Sequence, residues 1–207
     1  MRKLTISLQV AGLLLLAGCA SPNGAVIEAT FNSGVAAYDA HDYARAYQIW
    51  SSIQDQDLAA LRNMAMMQRD GTGMPKDPKK AEALYQRAAE AGNPYAQADL
   101  GEMLLKGAAG PPDVRAALPL LAAASAANHP VAEFELGELY ETGVPDFLPK
   151  DLNTARKLYT AAAGHGMKEA QARLAMVGPA PDGAAATSIP AAQPTSAASP
   201  AATPPPR

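Results

Sequence analysis

One thiol, three imidazoles and a group of carboxylates are the side chains here that could attack, shuttle a proton or hold an ion. The thiol is Cys19, the only cysteine in 207 residues, within LLLLAGCASP at 13–22. A nucleophilic cysteine needs a base and an orienting group held around it by a fold, and Cys19 precedes the first foldable segment. A single cysteine makes no internal disulfide, and a zinc site needs several ligands at close spacing. His41, His129 and His165 fall in turns far apart in register. HExxH and Ser-x-x-Lys are both absent, so a zinc protease and a penicillin-recognising serine enzyme lack their motifs. DGTGMPKDPKK at 70–80 carries the glycines of a phosphate loop without its GxxxxGK[ST] order. No catalytic residue, metal ligand, cofactor or small-molecule substrate is expected.

What precedes Cys19 gives the thiol a different chemistry. Arg2 and Lys3 lead into an apolar run from Leu4 to Ala17, shorter than the ~20 residues a membrane-spanning helix needs. A basic start, a short hydrophobic core and small residues at the end describe an export signal. Its last residues, Leu16-Ala17-Gly18-Cys19, resemble the lipobox of bacterial lipoproteins. The resemblance implies cleavage before Cys19, a diacylglyceryl thioether on its sulfur and an acyl chain on its new amino group. One acyl chain binds membranes only reversibly, whereas two or three anchor stably. Ala20 rather than Asp at the next position implies sorting to the outer membrane, facing the periplasm.

Loss of residues 1–18 removes two of the 17 basic residues and none of the 20 acidic ones, leaving a charge of about −5. Such a chain lacks the basic patch that nucleic acid requires. It also has no electrostatic attraction to anionic lipid, so the membrane association rests on acyl chains. Beyond Met176 the sequence turns to Ala, Pro, Ser and Thr, a composition that cannot offset its ordering entropy and predicts a disordered tail.

Between these ends the chain repeats itself. Ala60, Ala96 and Ala132 lie 36 residues apart, and Gly71, Gly107 and Gly143 keep that period. So do Met64, Leu100 and Leu136; the third copy has two extra residues, after which Ala170 and Leu174 begin a truncated fourth. Each copy predicts two helices. The first puts Ala132, Leu136 and Tyr140 on one face and stops at a glycine. The second opens behind Asp77, Asp113 or Asp151 as N-cap and carries Ala81, Tyr85, Ala88 and Ala89 or their equivalents. Pro119 falls inside the second helix of copy two, where it removes a donor at a cost of ~3 kcal/mol and predicts a kink. A degenerate pair precedes copy one, with Trp50 in the place of Tyr85 and Asp42 before its second helix.

The joined motifs AxxxLGxxYxxG at 132–143 and KDxxxARKLYxxAAGHG at 150–166 resemble the Sel-one-like repeat family, relatives of tetratricopeptide repeats. The resemblance implies an all-α fold, an α/α superhelical solenoid of stacked helix pairs whose first helices line a concave surface. It also implies a scaffold that binds another protein, in secretion, exopolysaccharide export or envelope stress. Copy one departs from the pattern with Ala65 for glycine, and copy two with Leu121 for the aromatic. Relatives described as β-lactamase-like or penicillin-binding are held by one disulfide per repeat, and this mature chain has no cysteine for any. A cell-wall-active enzyme and a spacer between outer membrane and peptidoglycan are the alternatives.

The organisation follows. A signal peptide occupies 1–18, a linker 19–30, the degenerate pair 31–57, and repeats 58–95, 96–131 and 132–168. A truncated helix at 169–177 and the Ala/Pro-rich tail at 178–207 complete the chain. Asp99 and Glu135 hold equivalent positions in their repeats, as do Glu102 and Glu138, with Glu133 close by. Solvated helix faces commonly carry such carboxylates; the alternative is an acidic stripe, with the two pairs aligned along the first-helix face, favouring a basic segment of a partner and speeding its association.

Overall fold

The structure, a computed structural model, describes residues 22–178. Cys19, the signal peptide and the tail beyond Gly178 lie outside the described residues. Among those described, nine helices follow in order: α1 (Pro22–Asp39), α2 (Tyr43–Ile53), α3 (Leu58–Asp70), α4 (Pro78–Glu90), α5 (Pro94–Lys106), α6 (Val114–Ala126), α7 (Pro130–Thr142), α8 (Leu152–Gly164) and α9 (Lys168–Val177). The only other regular pairing among them is an isolated bridge, Val144 with Leu148, in the α7–α8 connection. The fold is all-α, a solenoid of stacked helix pairs.

Local chemistry sets the helix limits. Asp42, Asp77, Asp113 and Asp151 each accept hydrogen bonds from backbone amides two or three residues on, opening α2, α4, α6 and α8. Pro94 and Pro130 stand at the first position of α5 and α7, where a missing amide hydrogen costs nothing. α3 and α5 end on Gly71 and Gly107 at φ of 74° and 64°, a region that side chains with a Cβ rarely occupy.

Within each pair, one small residue on the first helix meets one large residue on the second. A Cβ built on Gly34 would lie 2.3 Å from Trp50 Nε1, one on Gly101 2.7 Å from Leu121, and one on Gly137 2.5 Å from Tyr159. In α3 the same register holds Ala65, in one core cluster with Tyr85. Ala65, Tyr85, Leu121 and Tyr159 are all completely buried. The core therefore runs lengthwise through the stack, each pair finishing the interior of its neighbour.

The expected N-terminal limits change. The linker at 19–30 is helical over its described part, because α1 starts at Pro22. The hydroxyls of Thr30 and Ser33 donate to carbonyls one turn back, Val26 and Ala29, both at 2.8 Å. They are satisfied without interrupting the helix. Trp50 Nε1 donates to the Phe31 carbonyl at 3.3 Å, so the first pair begins at residue 22 rather than 31. As expected, the pair survives Pro119: α6 continues from Val114 to Ala126 with the proline on its exposed side. Its inner residues Ala117, Leu121 and Ala124 are clamped between α5 and α7, and that burial offsets the missing hydrogen bond. Finally, α9 keeps the register of a first helix. No second helix covers it among the described residues, leaving Ala175 and Met176 exposed.

Candidate partner-binding site

The first helices α3, α5, α7 and α9 lie side by side, and their charged residues meet across the joints. Arg62 Nε on α3 donates to Asp99 Oδ2 on α5 at 2.6 Å, and Arg69 comes within 3.9 Å of the same carboxylate. Asp99 is only 14% exposed. At the other end, Arg173 on α9 donates to Glu138 on α7 at 2.5 Å and approaches Glu141 at 3.7 Å. Between them, Lys106 pairs with Glu102 one turn earlier on α5 itself.

Three of the four carboxylates singled out by the repeat register are thus held by cations of this chain. Glu135 is the fourth. Among the described residues its side chain has no ion pair and no hydrogen-bond partner, and it is half-buried. Burial, then Glu102 and Glu138, raise its carboxyl above the usual carboxylate range, with Lys106 pulling the other way. Glu133 does not join this face. It is 3% exposed and meets His165 Nδ1 at 2.9 Å, at the end of α8.

Beside the Arg62–Asp99 pair the face becomes aromatic. The Arg62 guanidinium lies over the Tyr95 ring at 5.4 Å, and Tyr95 meets His129 edge-on at 5.0 Å. Tyr95 is 55% exposed. Burial pulls the His129 ring below the ordinary imidazole range, and its Nδ1 has no hydrogen-bond partner among the described residues. Tyrosine and arginine are the residue types that carry the largest share of binding energy in protein interfaces. Among the described residues no group of three or more His, Cys, Asp or Glu is placed to hold a metal ion. No described helix is long and apolar enough to cross a membrane.

The basic residues of this face went unnoticed in the sequence. Arg173 had a signal: it stands 38 residues after Glu135 and 74 after Asp99, so it takes the carboxylate position one first helix further on. Arg62 and Arg69 break no pattern that would have marked them.

Two-helix units with a shared lengthwise core and a row of charged residues along the first helices define a helical-repeat scaffold, a class that offers one long surface to other molecules. The sequence pattern of the Sel1 repeat matches residues 58–93, 94–129 and 130–167. The chain belongs to the Sel1 repeat family, and its repeats form a scaffold suited to protein–protein interaction. The second and third matched units open at Pro94 and Pro130, the first residues of α5 and α7.

A Sel1 repeat protein from Oxalobacter formigenes is similar in structure, with a TM-score of 0.65 and 30% identity over 70% of this chain and 59% of that one. A protective antigen from uropathogenic Escherichia coli with an SLR fold aligns at TM-score 0.66 and 24% identity, over 73% and 33%. An immunity protein from Pseudomonas aeruginosa aligns at TM-score 0.52 and 24% identity, over 75% and 58%. The last two share the fold. The alignments span just over half of the Oxalobacter protein and a third of the Escherichia one. No curated protein matches the chain.

Proposed function

We propose that this chain is a lipid-anchored scaffold of the bacterial envelope that captures a protein partner through a basic segment laid on the first-helix face. The observation that carries the capture is Glu135: a half-buried carboxylate between Glu102 and Glu138, without a cation of its own among the described residues. A lysine or arginine from a partner relieves that repulsion, while the exposed Tyr95 over Arg62 offers an apolar contact beside it. Sel1 repeats favour a protein over a nucleic acid or a small substrate as the ligand. The lipobox at 16–19 supports the anchor, with a diacylglyceryl thioether and an N-acyl chain on Cys19, and Ala20 supports the outer membrane, facing the periplasm. A secretion, exopolysaccharide-export or envelope-stress assembly is the setting the lipoprotein resemblance favours.

A photo-crosslinker placed at Val131, one turn before Glu135 on α7, tests the capture in growing cells. One dominant adduct, lost when Glu102 and Glu138 are changed to lysine, is expected. An adduct that survives both charge reversals refutes the acidic site. For the anchor, Cys19→Ser is expected to leave an unprocessed precursor that takes up no radioactive palmitate. Normal labelling of that variant ends the anchor reading.

A further inference from the structure

We infer that α1 holds the first helix pair against the bilayer surface, with its leading turns in the lipid headgroup layer, so that the scaffold is not suspended on a flexible tether. The inference rests on the anchor at Cys19 and adds what the structure says about the chain that follows it. α1 begins at Pro22, three residues after Cys19. Three residues reach at most ~10 Å even when fully extended. The other full first helices, α3, α5 and α7, start seven residues before their small packing position at Ala65, Gly101 and Gly137. α1 starts twelve before Gly34, so its first five residues project beyond the stack. At 1.5 Å per residue that projection adds roughly 8 Å. Ile27, where the ordinary first-helix register begins, therefore sits within about 20 Å of the lipidated residue.

The composition of the projection suits that place. From Pro22 to Tyr38 the only charged residue is Glu28. Asn23, Ala25 and Val26 are exposed, Val26 at 65%, and Ile27 is half-buried. The polar headgroup layer is roughly 5–8 Å deep on each side of the hydrocarbon, enough for about one to one and a half helical turns entering end-on. No lysine or arginine precedes Arg45 in the described residues, so the acyl chains and the short connection, not surface charge, keep the helix there.

The test uses the full lipidated protein in phosphatidylethanolamine–phosphatidylglycerol vesicles, with an environment-sensitive dye on Val26→Cys or, at the far end, on Met176→Cys. Lipids spin-labelled at the headgroup are expected to quench most of the emission at 26 and almost none at 176. Equal quenching at the two positions overturns the proposal. A Gly/Ser spacer of about 12 residues, with ends ~20 Å apart on average, is then inserted before Pro22. Loss of quenching at 26 supports restraint by the short connection, and undiminished quenching overturns it. Mass spectrometry of the N-terminal peptide reads the anchor separately: a Cys19 without acyl groups removes the anchor reading itself, whatever the dyes report.

Discussion

Tyr85 and Tyr159 occupy the same position in two repeats, and both are completely buried. Burial raises both phenols far above the ordinary range, so each stays protonated. Their hydroxyls nevertheless end differently. Tyr159 Oη donates to Glu141 Oε2 at 2.6 Å. In copy one the position matching Glu141 is Arg69, which turns to Asp70 at 2.8 Å, and Tyr85 Oη has no partner among the described residues. Phenylalanine keeps the ring that fills the core and deletes only the hydroxyl, so the same substitution asks two opposite questions. A hydrogen bond to a charged acceptor contributes ~1.5–3 kcal/mol. Because Glu141 is also approached by Arg173, Tyr159→Phe should cost about 2 kcal/mol. A buried unsatisfied polar group costs ~1–3 kcal/mol, so Tyr85→Phe should be neutral or gain about 1 kcal/mol. The two variants are then separated by about 2–3 kcal/mol, or roughly 4–12 °C in melting temperature for a chain of this size. Urea titrations of the soluble protein starting at Ala20, followed by helical ellipticity, measure the difference. An unchanged slope would confirm that the folded array, not its cooperativity, had altered. Equal losses in both variants would refute the account of how the repeats diverge.

Two further outcomes follow from the same geometry. Gly137→Val forces a branched side chain against the Tyr159 ring, which is fully buried. It should lower stability by ~1–3 kcal/mol, whereas Gly110→Ala, with nothing near the added carbon, should change it little; thermal melts compare them. Glu135→Gln should act in the opposite direction on stability and binding. A carboxyl whose folded-state pKa lies above its unfolded value contributes stability that is present below the unfolded value and lost as pH rises through the folded one. Removing its charge should therefore stabilise the protein near neutral pH and not below the ordinary carboxylate range. The Glu135–Glu138 repulsion alone accounts for ~0.2–0.5 kcal/mol. Urea midpoints at neutral and acidic pH read that effect, while partner capture at neutral pH should fall.

The periodic features of this molecule were legible because they are local or repeated. The aspartate caps and glycine stops act within a few residues of themselves, so spacing alone located α3 to α8. Trp50 takes the place of Tyr85, as its register predicted, because it keeps the Ala46-to-Ile53 frame of a second helix. What escaped was set by tertiary neighbours. Residues 22–30 contain no pattern of core-facing residues, yet they continue a helix whose later turns are buried by α2. Pro119 costs α6 a backbone hydrogen bond, and the burial that offsets it comes from α5 and α7. The carboxylate stripe was visible in the register, but two of its cations come from other repeats, Arg62 and Asp99 being 37 residues apart and Arg173 and Glu138 35.

Those cross-repeat pairs also set one joint between α3 and α9 apart from its two neighbours. Arg62 bridges α3 to α5, and Arg173 bridges α7 to α9. Between α5 and α7, which touch directly, no cross-helix ion pair forms among the described residues. Lys106 is engaged within α5 by Glu102, and Glu135 faces Glu102 and Glu138. The same repeat has Leu121 where its neighbours have tyrosine, and Pro119 in its second helix. In an array held by nearest-neighbour contacts, a joint without an ion pair across its first helices gains most from an added one. A partner cation arriving at Glu135 would do for α5 and α7 what Arg62 and Arg173 do on either side. It would meet its binding site and stiffen the scaffold in one step.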